Sequence, residues 1–127
     1  MLDSMKIIAF IPSLNSGRAR AFYEDVLGLR FVSEDRFAVV LDANGIMLRI
    51  VNVPEFEPAS FTILGWDVPD IEAVVANLQK KGVQFCRYTG IRQDPLGIWC
   101  SPGGSKVAWF TDFDGNVLSL SQLPASS

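Results

Sequence analysis

The chain states one pattern twice. Residues 42–50, Asp-Ala-Asn-Gly-Ile-Met-Leu-Arg-Ile, align with residues 112–120, Asp-Phe-Asp-Gly-Asn-Val-Leu-Ser-Leu, at a constant offset of 70. Each is a turn feeding a strand. Val26-Leu27-Gly28-Leu29-Arg30-Phe31 and Lys80-Lys81-Gly82-Val83-Gln84-Phe85 repeat a helix end at an offset of 54. Two copies of one supersecondary unit, each of roughly sixty residues, would be marginal alone and should share a sheet or a partner subunit.

The elements between these anchors fall in the same order in both copies. Lys6 to Pro12 reads as a buried strand stopped by the proline. Asn15 and Ser16 are N-cap candidates for a helix over Arg18 to Leu27, with Ala19, Phe22, Tyr23 and Val26 on one face. Strands are expected over Leu29 to Ser33, Phe37 to Leu41 and Ile46 to Val51, the last two joined by the hairpin chemistry of Asn44-Gly45. In copy two, a strand over Phe61 to Val68 precedes a helix capped by Asp70 and ended by Gly82, with Ile71, Val74, Val75 and Leu78 on one face. Strands are then expected at Val83 to Tyr88, Lys106 to Asp112 and Asn116 to Gln122. The fold class is α+β: two βαβββ repeats, about 6–52 and 61–122, forming curved mixed β-sheets around a cavity. Residues 53–60 are the linker, and the whole is one domain over 1–127.

Alternation sorts the final strands into two faces. Leu48 and Ile50, like Leu118 and Leu120, should pack on the helices. Met47, Arg49 and Val51, like Val117, Ser119 and Ser121, point the other way. A polar inner face on a curved sheet suggests a cavity.

Several function classes are disfavoured. Net charge is −3 with no basic stretch, so nucleic acid is not an expected partner. No apolar run reaches the ~18 residues of a membrane span. The acidic start Met1-Leu2-Asp3-Ser4-Met5 lacks a basic leader region, so a cytoplasmic location is expected. Cys86 and Cys100 match no metal or redox spacing and read as reduced and structural.

Arg20-Ala21-Phe22-Tyr23-Glu24-Asp25-Val26-Leu27-Gly28-Leu29, the helix start Asp67-Val68-Pro69-Asp70-Ile71-Glu72, and Asp112-Phe113-Asp114-Gly115-Asn116 before an apolar strand resemble the vicinal oxygen chelate superfamily. That group holds glyoxalase I, extradiol dioxygenases, and fosfomycin- and bleomycin-resistance proteins. The resemblance spans Lys6 to Gln122. It implies homodimers, with sites often between chains. It also implies one metal ligand from the first and last strand of each copy, usually His, Glu or Gln. Those positions are Ile8, Arg49, Ile63 and Ser119 here. Two aliphatics, a permanent cation and a neutral hydroxyl do not suit a divalent ion, and the chain has no histidine. No metal or other cofactor is expected.

The candidate ligand-binding residues are Arg49, Ser119, Trp99, Asp67, Phe10 and Met47. Arg49 either forks onto an anionic ligand group or pairs internally, Asp67 being the partner of matching parity. Trp99, in the glycine-rich stretch 89–105, either stacks on a planar ligand or anchors its loop. Asp94 is a proton-transfer carboxylate or, before Pro95-Leu96-Gly97, turn chemistry. Trp66 has the parity of a helix-packing residue. Ser119 has no visible base and is no nucleophile. The expected function is metal-independent sequestration of a small amphipathic or aromatic molecule. The alternative is a lyase, isomerase or dioxygenase-like enzyme of the same superfamily.

Overall fold

The computed structural model describes residues 1–125. The chain divides between Glu57 and Pro58 into two compact units.

Unit one holds a mixed four-stranded sheet. Its strands are β1 (Ile8–Ser13), β2 (Arg30–Glu34), β3 (Ala38–Ala43) and β4 (Ile46–Asn52), in the order β1-β4-β3-β2. β1 runs parallel to β4, and the other pairs are antiparallel. Pro12 lies inside β1 rather than ending it. β1 is an edge strand, half of whose N–H groups face away from its only partner, so a missing donor is tolerated. Asn44 (φ 52°) and Gly45 (φ 92°) are both left-handed, the turn a two-residue hairpin with right-handed twist requires. Ile11, Val39, Leu41, Leu48 and Ile50 are fully buried on one face with Ala19 of α1 (Ser16–Ala21) and Tyr23.

The first helix departs from the expected regular helix over Arg18 to Leu27. The α-helical ladder stops at Ala21, and Phe22–Val26 form a wider π-turn in which Leu27 N–H reaches Phe22 C=O at 3.0 Å. Such a bulge rotates the next residues relative to a regular continuation, and Tyr23 within it has no exposed surface.

Unit two repeats the architecture with β5 (Thr62–Asp67), α2 (Ile71–Lys80), β6 (Trp99–Cys100), β7 (Lys106–Thr111) and β8 (Val117–Gln122). The sheet order is β5-β8-β7-β6, with β5 parallel to β8. Two repeat-like mixed sheets with few helices make the chain α+β. α2 buries Ile71, Val75 and Leu78. It ends on Gly82 (φ 94°), whose N–H bonds Gln79 C=O while Val83 N–H bonds Leu78 C=O, a double C-terminal closure.

The expected strand at Val83 to Tyr88 is absent. Only Cys86 N–H reaches β7, at Trp109 C=O (2.8 Å). The Gln93 side chain takes the remaining pairing: its Nε2 donates to Cys86 C=O (2.9 Å) and its Oε1 accepts from Tyr88 N–H (2.7 Å). The outer edge of β7 is instead shared with the two-residue β6, Trp99 opposite Val107.

The helix starts carry the repeat further. Asn15 Oδ1 accepts from Arg18 N–H (3.1 Å), and Asp70 Oδ1 from Ala73 N–H (3.2 Å). The last residue of each sheet then supplies a second cap. Asn52 Oδ1 accepts from Ser16 N–H (2.7 Å), and Gln122 Oε1 from Ile71 N–H (2.9 Å). Asn52 and Gln122 share the offset of 70.

Candidate functional site

Strand alternation leaves each sheet one face away from its helix. In unit one the registers align these residues in rows. Ile8, Met47, Asp42 and Arg30 form one row, and Phe10, Arg49 and Val40 the next. Both rows are apolar at their β1 end. Phe10 stands 64% exposed in mid-strand. Arg49 is partly buried between Phe10 and Val40 and makes no hydrogen bond or ion pair among the described residues. Its charge is felt at Asp35. The Asp35 carboxyl lies below its ordinary range, first because Phe37 and Ala38 N–H groups bond it, then through Arg49 and Arg36.

The first row carries a pocket of about 310 Å³, lined by Ile8, Met47, Val40, Arg30, Asp42 and Lys6 among others. Asp42 accepts from Gly45 N–H through Oδ1 (2.8 Å) and from the Arg30 guanidinium through Oδ2 (3.1 and 3.3 Å). These two contacts hold its carboxyl below the usual range, the Gly45 N–H being the larger cause. Of this pocket, sequence reasoning identifies Met47 as a candidate and Ile8 as an expected ligand position. It misses Lys6, Arg30, Val40 and Asp42. The two-residue hairpin is the available signal, because it pairs Asp42 with Met47 and so puts Asp42 on the Met47 face.

In unit two, Gly65, Ser119 and Trp109 form one row, and Asp67, Ser121, Val107 and Trp99 the next. Ser119 is buried (7% exposed) because its side chain lies over Gly65. A Cβ on residue 65 would stand 2.9 Å from Ser119 Oγ and 3.2 Å from its carbonyl oxygen. Trp109 shares the Ser119 side. Trp99 packs on Trp109 (centroids 6.1 Å apart, 33° between planes), and Tyr88 meets Trp109 edge-on at 5.4 Å. Trp99 thus anchors its loop while part of it stays exposed. Partial burial, then the hydrogen bond with Cys86 and the charge of its thiolate form, push the Tyr88 phenol up. Asp67 is exposed, as is Ile63. Trp66 stacks on Phe110 (6.5 Å, 20°) on the opposite, α2-facing side.

Asp94 is a turn residue. Its Oδ1 accepts from both Leu96 and Ile98 N–H at 2.9 Å, and its main-chain oxygen accepts from Gly97 N–H. Cys86 and Cys100 are free thiols.

A metal of the kind some superfamily members use does not fit these residues. Ile8 and Ile63 offer no donor, Arg49 repels a cation, and Ser119 offers one neutral hydroxyl against a packed glycine. Among the described residues no three His, Cys, Asp or Glu side chains converge.

This architecture defines a class, the paired βαβββ proteins. The chain belongs to the Glyoxalase/Bleomycin resistance protein/Dioxygenase superfamily, whose family model matches residues 11–120. It is similar to the bleomycin resistance determinant encoded on transposon Tn5 (21% identity, 96% of this chain and 100% of that one, TM-score 0.73). A superfamily member from Sphaerobacter thermophilus DSM 20745 is similar too (20%, 96% and 99%, TM-score 0.75). So is TnmS3, an antibiotic binding protein from Streptomyces sp. CB03234 (26%, 98% and 99%, TM-score 0.70). No curated protein matches the chain. Among the described residues no helix is long and apolar enough to cross a membrane.

Proposed function

We propose that this protein binds and sequesters a small amphipathic or aromatic molecule without a metal, on the sheet faces turned away from its helices. One observation carries the reading. Arg49 is a partly buried cation in the middle of an apolar strand face, with no hydrogen bond or ion pair among the described residues. Asp35 feels that charge without forming an ion pair with it, so the guanidinium's donors are left for a group it meets in use. A ligand carboxylate or phosphate, gripped by the guanidinium fork, is such a group. Phe10 and Met47 supply apolar contact, and Trp99, Ser119 and Asp67 are the corresponding orienting groups in unit two. Two similar structures are described as a bleomycin resistance determinant and an antibiotic binding protein, which supports sequestration as the mode of action. We propose further that the protein is cytoplasmic and, as the superfamily resemblance implies, homodimeric; sedimentation reads the second directly.

The test is calorimetric titration of the protein with bleomycin and a panel of aromatic antibiotics and acidic metabolites, in wild type and Arg49→Ala. A charge-assisted hydrogen bond contributes ~1.5–3 kcal/mol, so the variant should bind its ligand roughly 10- to 150-fold more weakly. Unchanged affinity for every ligand found would remove Arg49, and the cavity built on it, from the account.

A further inference from the structure

The pocket on unit one is not lined by Arg49, but it shares Met47 and the sheet face with the site proposed above, and so rests on that reading of the face. Its volume of about 310 Å³ lies at the small end of ligand sites, enough for one compact aromatic molecule. Ile8, Val40 and Met47 make the floor apolar. Three charged side chains stand around it: Lys6, Arg30 and Asp42. They do not cancel as a ligand would meet them. Both Asp42 oxygens are already engaged, one by Gly45 N–H and one by Arg30. Arg30 spends its Nε and one Nη2 donor on Asp42 and keeps the rest of its five N–H groups. Lys6 makes no hydrogen bond or ion pair among the described residues. The link from the hairpin turn through Asp42 to Arg30 also fixes the guanidinium at the rim. An apolar floor beneath two available cations selects a ligand by charge as well as shape.

We propose that this pocket binds a small amphipathic anion, its aromatic or branched aliphatic body on Ile8, Val40 and Met47 and its carboxylate, sulfonate or phosphate against Lys6 and Arg30. A neutral analogue of the same body keeps the floor contacts and loses the head group. A cationic one meets Lys6 and Arg30 with the wrong sign.

Two dyes of nearly one shape separate these terms: 1-anilinonaphthalene-8-sulfonate and its uncharged parent, N-phenyl-1-naphthylamine. Fluorescence titration of the intact protein should show one saturable sulfonate site per chain, at least tenfold tighter than the neutral dye, weakening in 0.5 M NaCl, since Arg30 is 73% exposed and open to screening. Lys6→Gln, which leaves the Arg30–Asp42 pair intact, should weaken the sulfonate several-fold and leave the neutral dye unchanged. Lys6→Gln with Arg30→Gln should weaken it at least tenfold. Met47→Trp, at a side chain already 41% exposed and so tolerant of bulk, should weaken both dyes by filling the floor. The proposal is overturned if the dyes bind alike, or if the double variant binds the sulfonate as wild type does. A changed oligomeric state for Met47→Trp with unchanged dye binding also overturns it, because a second copy of the chain would then be the occupant.

Discussion

Removing the Asn52 side chain tests the double cap on α1. Asn52 Oδ1 accepts from Ser16 N–H at 2.7 Å, and Ser16 is 1% exposed, so water does not replace the lost acceptor. Its Nδ2 donates to Arg36 C=O, an exposed group that water can serve. Asn52→Ala therefore leaves one buried donor unsatisfied, a cost of about 1–3 kcal/mol. With a urea dependence of ~1–3 kcal/mol per molar for a small protein, the unfolding midpoint should fall by roughly 1 M. Asn52→Asp keeps the acceptor, places a negative charge at the helix N-terminus and gives up only the exposed donor. Above about pH 5 it should cost less than half as much. The assay is urea unfolding monitored by far-ultraviolet circular dichroism. A loss under ~0.5 kcal/mol for Asn52→Ala, the level of an ordinary surface change, or an equal loss for Asn52→Asp, would refute the capping argument.

Gly65→Ala pushes a methyl to 2.9 Å from Ser119 Oγ. It should destabilise by about 1–3 kcal/mol through overpacking, and by less in a Ser119→Ala background, both read by urea unfolding. The Asp42 carboxyl is held below its unfolded value, so its contribution is present above about pH 4 and lost as pH falls through the lowered folded pKa. Asp42→Asn should flatten that acid limb in stability–pH curves and leave the neutral-to-alkaline shape unchanged. Cys86 stands opposite Trp109 and Cys100 opposite Lys106, three residues apart along β7 or ~10 Å, beyond the reach of a disulfide. Thiol titration under native, aerobic conditions should find two free sulfhydryls that no intramolecular bridge consumes.

Local chemistry is legible in the sequence wherever it alone decides the outcome. Leu48 and Ile50 against Met47 and Arg49 sort correctly because a strand alternates whatever surrounds it. Asn44-Gly45, Asn15, Asp70 and Gly82 mark their turn, caps and helix end through backbone chemistry. Other features depend on partners distant in sequence. Val83 to Tyr88 has strand composition, but whether it pairs depends on Gln93, whose amide bonds both Cys86 and Tyr88. The π-turn at Phe22–Val26 has no local signature, since the same residues satisfy a regular helix with Tyr23 on its buried face. The second caps from Asn52 and Gln122 are legible only through the offset of 70. On the candidate faces, alternation places Arg49, Phe10 and Met47. The Lys6–Arg30–Asp42 cluster requires the β2–β3 register, which a bulge between Phe31 and Ser33 shifts and no local rule supplies.

The most direct measurement tracks the fate of a bound ligand. The tightest ligand from the calorimetric panel would be incubated with one-tenth molar equivalent of protein treated with EDTA, then recovered and analysed by mass spectrometry. Sequestration predicts intact ligand, with the bound share matching the protein concentration and binding unaffected by the chelator. Conversion of more than one equivalent per chain, or binding that disappears with a divalent ion removed by EDTA, would contradict it.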